Sequence, residues 1–422
     1  MMPKDRIPLL VDLGDRTGDG LRLFEEVLAE LGLSSAWAGD GRSEASDAIP
    51  ALFLENLGQV HADLPLDPLV SVLDCDGPAA AASALRQRFG EAGLSVIVDW
   101  SEGRMEGPLA GGVDWDAPWW VSAILGGDPD RIDPEGRLGT GLVVALADHP
   151  VDRSHPALSG RCLEPLEAWR LPWYDSQPVL PDDHGTGSAG LVVGWDQKAG
   201  RRPGLAPGAR ILPIHLWPGP RAGFRPDRLR ILCRALDGLR SRQIQRPALG
   251  WIFSQQVSLT NLSFGRALQE QYEDAVSILE KAYARAAGDW GVAVLSAAGS
   301  HPRAQWPVLP CGLAGVTSVG GIDEEGRLVR RSPRFGMDLV SVVSKGGRGP
   351  LSCAAGGGYI EQGQATSAAA PMAAGALAAL ASQEGMGPRR ALRLLRKRGG
   401  PTSSGASLVS LASWFSKRPR RP

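Results

Sequence analysis

The 422-residue sequence predicts an α/β chain: a doubly wound, mostly parallel sheet preceded by a small α+β domain of ferredoxin-like pattern. Three observations carry this expectation. Apolar runs of strand length alternate with helical segments from about residue 113 to residue 400. Residues 1–112 hold a βα…βαβ order of their own. Between the two, Gly103–Gly112 contains four glycines and a proline, the composition of a linker. The expected units are therefore 1–112 and 113–422.

In the first unit, Ile7–Val11 reads as a strand. Gly20–Leu31 reads as a helix because Leu21, Phe24, Val27, Leu28 and Leu31 recur at helical spacing. Pro68–Leu73 and Leu94–Val98 are apolar enough for strands, and Ala79–Ala92 between them suits a helix. In the second unit the strands are Leu142–Ala147, Arg210–His215, Gln256–Leu262, Gly291–Ala297 and Val316–Gly320. Strands separated by helices pair in parallel and are covered on both faces. Chemistry in such sheets gathers at the carboxyl ends of the strands.

Composition excludes several function classes. A net charge of −1, with 22% charged and 43% hydrophobic residues, is that of a globular chain, not of a disordered or bulk-basic one. The short basic tail Lys417–Pro422 has too few charges for more than a salt-sensitive contact, so nucleic acid is not an expected partner. No apolar run reaches membrane-spanning length, and Met1–Leu10 lacks the pattern of a secretory signal. The five cysteines never fall as CxxC; they read as core thiols in a reducing cytoplasm and leave neither a disulfide scaffold nor a zinc site. The charge is unevenly spread: −11 on residues 1–112, +1 on the body and +9 on residues 383–422.

Three short stretches carry chemistry. Val143–Asp148 is a buried strand ending on a carboxylate. His184-Gly185-Thr186-Gly187 opens a small-residue helix with a histidine. Ala365-Thr366-Ser367-Ala368 opens another with a serine, running to about Ala381. A serine hydroxyl needs an adjacent base to act as a nucleophile at neutral pH. His184 can be that base, and Asp148 can hold its tautomer and balance its charge. A helix N-terminus at Ser367 adds N–H groups and a positive dipole end for a developing oxyanion. Each signal alone suits a structural role, such as an N-cap; the order Asp…His…Ser makes the set specific.

These stretches resemble the subtilisin-like serine peptidases, peptidase family S8. The motif around a strand aspartate, V-A-V-I-D-T-G followed by H-P-x-L, is similar to Val144–Leu158; H-G-T-H-V-A-G to His184–Gly190; and G-T-S-M-A-x-P to Ala365–Pro371. Weaker likenesses fall between them in order, at Gly204–Ala209, Asn261–Gly265, Ala297–Gly299 and Val316–Gly320. The resemblance implies a subtilisin-like fold over about 113–400 and a serine endopeptidase acting on polypeptides through an acyl-enzyme. It implies the triad Asp148, His184 and Ser367, and an oxyanion hole of Ser300 and Ser367. Substrate would be clamped along Ser263, Phe264 and Gly265 and along Ala297, Ala298 and Gly299, with His301 near the specificity pocket. The N-terminal unit is similar in pattern and position to the family's inhibitory propeptide, so the chain's own first domain is an expected intramolecular partner; a permanent accessory domain is the other reading.

The sequence departs from the family at several positions. Ser300 stands where the resemblance would put an oxyanion asparagine, Ala365 where it would put a glycine, His149-Pro150 for Thr-Gly, and Gly187 for the second histidine. Ala157 takes the place of a calcium-ligating carboxylate and has no oxygen to offer, so no metal and no other cofactor is expected. The departures leave a second reading open, a peptide-binding or regulatory protein of the same fold with little or no turnover.

Overall fold

The structure, a computed structural model, describes residues 6–12, 26, 34–37, 68–71, 95–98, 119–168, 179–216, 248–253, 280, 292–299, 310–311, 313–329, 337–399, 402 and 405–415. The first four strands are β1 (Arg6–Asp12), β2 (Ser34–Trp37), β3 (Pro68–Ser71) and β4 (Ser95–Val98). They form an antiparallel sheet in the order β2-β3-β1-β4, with Ile7 opposite Val70 and Leu10 opposite Ile97. β2 is a strand the apolar pattern did not predict. The expected helices Gly20–Leu31 and Ala79–Ala92, apart from Glu26, and the linker Gly103–Gly112 lie outside the described residues.

The larger sheet is built from β5 (Val143–Asp148), β6 (Leu166–Glu167), β7 (Arg210–His215), β8 (Ala248–Phe253), β9 (Leu295–Ala297), β10 (Thr317–Asp323), β11 (Leu339–Ser344) and β14 (Ser407–Leu408). Between the last two, β12 (Leu351–Cys353) and β13 (Tyr359–Glu361) pair as a hairpin arm. The strand order is β14-β11-β10-β9-β8-β5-β7-β6, and every pairing in it is parallel. This is the mostly parallel α/β sheet expected. The expected strand Gln256–Leu262 falls outside the described residues; β8, just before it, takes the place beside β5.

The chain leaves β5 toward β7 and β6 on one side and returns through β8 on the other. The order therefore reverses at β5, and its carboxyl end opens into the crevice where doubly wound sheets bind ligands. Asp148 is the last residue of that strand.

The helices are α1 (Trp119–Leu125), α2 (Pro129–Ile132), α3 (Asp183–Val193), α4 (Thr366–Glu384), α5 (Pro388–Arg398) and α6 (Ala412–Phe415). α4 packs on α3 and across β8 to β11, and almost every residue from Thr366 to Ala381 is buried. Alanine makes this possible: its side chain costs no rotamer entropy and lets the helix axis approach the sheet closely. The helix stops at Gly385, whose φ of 58° is the left-handed conformation that a C-terminal cap requires. Cys311 and Cys353 are buried free thiols and Cys162 is a half-buried one. Among the described residues no helix is long and apolar enough to cross a membrane.

Candidate active site

Asp148 is fully buried, and its Oδ1 accepts two hydrogen bonds, from its neighbour's backbone N–H (His149, 2.7 Å) and from His184 Nδ1 (2.7 Å). A carboxylate cannot donate. The neutral imidazole is therefore held as the Nδ1–H tautomer, with the lone pair on Nε2 free to take a proton. The strand also anchors the aspartate's backbone, because Leu216 N–H donates to Asp148 O at 2.9 Å.

His184 sits in the first turn of α3. Asp182 is the N-cap there, its side chain accepting His184 N–H at 2.7 Å, while Asp182 N–H donates to Pro150 O at 2.9 Å. The Asp148–Pro150 turn and the start of α3 are thus stitched together from both sides. Gly185 is required between them: a Cβ there would lie 2.1 Å from His149 O. Pro150 has no N–H to give, and its carbonyl is what it contributes to this link. Burial pushes the His184 pKa down, but the charge and hydrogen bond of Asp148, helped by the charge of Asp182, outweigh it and leave the imidazole above its ordinary 6.5.

Ser367 lies at the other helix start, in the first turn of α4, and is half-buried. Ala365 precedes the helix at φ −140° and ψ 167°, extended backbone that any residue adopts, so the alanine there causes no strain. It has no side-chain acceptor, so α4 starts without a side-chain cap, while Ala368 N–H donates to Ala365 O at 3.1 Å. Pro371 has no N–H to return to Ser367 O, so the serine's carbonyl is released from the helical ladder.

α3 and α4 pack on one another. At their far ends, Gly139 N–H donates to Ser382 Oγ of α4 (2.7 Å), Ala206 N–H donates to Val192 O of α3 (2.8 Å), and a Cβ on Gly139 would meet Ala206 Cβ at 3.0 Å. A Cβ on Gly375, midway along α4, would sit 3.4 Å from Leu191 O, near the end of α3.

The remaining expected residues divide in two. Ala297 and Ala298 are buried at the end of β9, past Ser296, the last residue paired with β8 among the described residues. Gly299 N–H donates to Thr366 Oγ1 at 3.1 Å, which ties this strand end to the residue before Ser367. Ser263, Phe264, Gly265, Ser300 and His301 lie outside the described residues. At the missing second histidine, Gln362 fills the space: a Cβ on Gly187 would meet its Nε2 at 2.1 Å. Of two neighbours of the site, the sequence reading noted His149 only as a departure from the family motif and missed Asp182. Asp182-Asp183 just before a small-residue helix was the available N-cap signal; their pairing across 33 positions has no sequence signal.

The family model described as the subtilase family matches residues 139–397. A curated subtilisin-like protease of Coccidioides posadasii is 26% identical over 274 residues, which is 64% of this chain and 60% of that protein. The chain thus spans about 60% of the length of this relative. Among solved structures, the epidermin leader peptide processing serine protease of Staphylococcus aureus superimposes with a TM-score of 0.64 at 14% identity, covering 98% of this chain and all of that one (100%). A psychrophilic protease gives a TM-score of 0.52 at 18% identity over 71% of this chain and 99% of its own. Both likenesses are likenesses of fold.

Proposed function

The chain belongs to the subtilase family, and on that premise we propose that it is a serine endopeptidase with Ser367 as nucleophile, His184 as general base and acid, and Asp148 as the orienting carboxylate. The observation that carries the reading is the 2.7 Å contact from Asp148 Oδ1 to His184 Nδ1, on a helix that packs against the one Ser367 opens. In the reaction, Ser367 Oγ attacks the peptide carbonyl carbon and gives its proton to His184 Nε2. The resulting oxyanion sits against the Ser367 backbone N–H, with Ser300 as a second donor, and the dipole of α4 favours its charge. His184 then protonates the leaving amine. Water attacks the acyl-enzyme with its proton going to His184, and Ser367 leaves the carbonyl carbon with that proton restored. The peptide lies extended along Ala297–Gly299 and Ser263–Gly265, with His301 at its specificity pocket, held by main-chain hydrogen bonds.

Residues 1–112 are proposed as an inhibitory domain removed near the Gly103–Gly112 segment; their charge of −11 against +9 at residues 383–422 supports an electrostatic contribution to that hold. One experiment addresses both points. The purified protein is treated with a fluorophosphonate probe and mapped by mass spectrometry. The expected result is one label, on the Ser367 peptide, in a chain whose N-terminus has moved to between about residues 100 and 118. A chain that takes no label, or takes it elsewhere, overturns the peptidase reading. A labelled chain that keeps its first residue overturns self-removal alone.

The pH profile is a second check. His184 works only as the neutral base, and its pKa lies above 6.5. The acid limb of kcat/KM is therefore expected above that value, with activity rising as pH climbs through it. A limb at or below 6.5 would show that Asp148 does not hold the imidazole as the geometry requires.

A further inference from the structure

A second histidine–carboxylate pair lies against the first. His149 Nδ1 is 3.0 Å from Asp182 Oδ2, with the two side chains only 5% and 9% exposed. The other oxygen, Asp182 Oδ1, is the one that accepts His184 N–H at 2.7 Å. The His149 and His184 rings stand 5.6 Å apart, inclined by 44°. One buried carboxylate therefore bridges two histidines, and the pairs share the backbone of the Asp148–Pro150 turn.

We propose that Asp182 and His149 are positioning residues that set the orientation and the protonation of His184: Asp182 fixes the helix start and places a second negative charge beside the imidazole, and His149 holds Asp182 in place. This rests on the reading of His184 as the general base. A cap serving only the helix needs an acceptor, which asparagine supplies as well as aspartate does. It needs neither burial beside the site nor a histidine on its second oxygen. Asp182 remains ionised there. Burial pushes its carboxyl up, but the hydrogen bond and charge of His149 and the His184 N–H bring it below its ordinary range. A charge kept at that cost stabilises the imidazolium that forms when Ser367 gives up its proton.

The other charged groups near His184 among the described residues are accounted for. Asp148 is its direct partner, from β5. Asp183, in the same helical turn, is drawn away by Ala355 N–H at 2.7 Å. Asp152 binds Ser154 and Gly356 N–H groups. From β7, His215 faces Glu167 at 3.1 Å. α4 brings no charge within its first turn.

The test is run on the full chain carrying Ser367→Ala, which prevents self-cleavage. The ring C–H resonances of His184 are followed by NMR against pH and assigned by their loss in His184→Gln. Asp182→Asn keeps the cap and removes the charge, and is expected to lower the His184 midpoint by about one pH unit. An unmoved midpoint overturns the proposal. With Ser367 restored, the acid limb of kcat/KM should move down by the same amount. His149→Leu is expected to lower kcat about tenfold with KM unchanged. His149→Asn, whose amide nitrogen can stand in for Nδ1, should recover most of it. Equal kcat in both His149 variants and the wild type overturns the part assigned to His149. The NMR midpoint needs no turnover, so a protein that shows the shift but never takes the fluorophosphonate fails only as a peptidase.

Discussion

Ser367→Ala is expected to lower kcat by about six orders of magnitude, and Asp148→Asn by about four, with KM nearly unchanged in both. These sizes are taken over from triads of this kind in other enzymes. Their difference follows from the geometry. Without Ser367 Oγ no acyl-enzyme forms, and what remains is the oxyanion site acting on free water. With Asp148→Asn the serine is still present, but the amide can turn its NH₂ toward His184. The imidazole would then answer with the opposite tautomer, its proton on Nε2 and no lone pair facing the serine. Binding of the peptide should be untouched, because main-chain contacts along Ala297–Gly299 do not involve the carboxylate. Stability should fall modestly in Asp148→Asn: asparagine fits the same volume, but turning its NH₂ toward His184 withdraws the oxygen that accepts the His149 N–H. Steady-state kinetics and melting curves of both variants make the comparison. If Ser367→Ala kept even a hundredth of the wild-type rate, the nucleophile would have to be another residue.

Gly185→Ala should damage both the fold and the rate. The added Cβ would lie 2.1 Å from His149 O and 2.7 Å from its carbonyl carbon, and these are backbone atoms that cannot turn aside. Relief requires the start of α3 to move off the Asp148–Pro150 turn. Three bonds cross that gap: Asp182 N–H to Pro150 O, His184 Nδ1 to Asp148 and Asp182 to His149. A loss of about 3 kcal/mol is expected, seen as a fall of about 8 °C in Tm, with kcat lower by about 10²-fold. Gly187→Ala is the contrast. Its Cβ would press on the end of the Gln362 side chain, which can swing away, so the effect should be clearly smaller. A Gly185→Ala protein that melts and turns over like the wild type would mean that the turn and the helix are not closely coupled.

Much of this was legible in the residues themselves. Val143–Asp148 and Arg210–His215 are short apolar runs that end where polar residues begin, and they became adjacent parallel strands at nearly the expected bounds. α4 announced itself by a run of alanines too long for a strand and closed by glycine. The expected strand Gly291–Ala297 narrowed to Leu295–Ala297, the part that finds partners on both sides. Leu339–Ser344 was missed although it is apolar. Polar Ser341 breaks the run in sequence, yet it is buried, its Oγ donating to Ala369 O at 3.2 Å. The His149–Asp182 pair and the filling of Gly187 by Gln362 are contacts between segments far apart in the chain. Periodicity carries no trace of such contacts; only the way α3 docks on its neighbours decides them.

The last strand of the sheet lies beyond the stretch that matches the family. β14 begins at Ser407, after residue 397, and pairs with β11 through Leu339↔Ser407 and Val340↔Leu408. Behind it, Leu411 N–H donates to Ile124 O at 2.6 Å and the Arg398 guanidinium covers the Trp414 ring. A chain cut at the family boundary would uncover the backbone donors and acceptors along β11 and strip the cover from α1. An open edge of that kind is a template on which a second molecule can add a strand, and residues 407–415 cover it along β11.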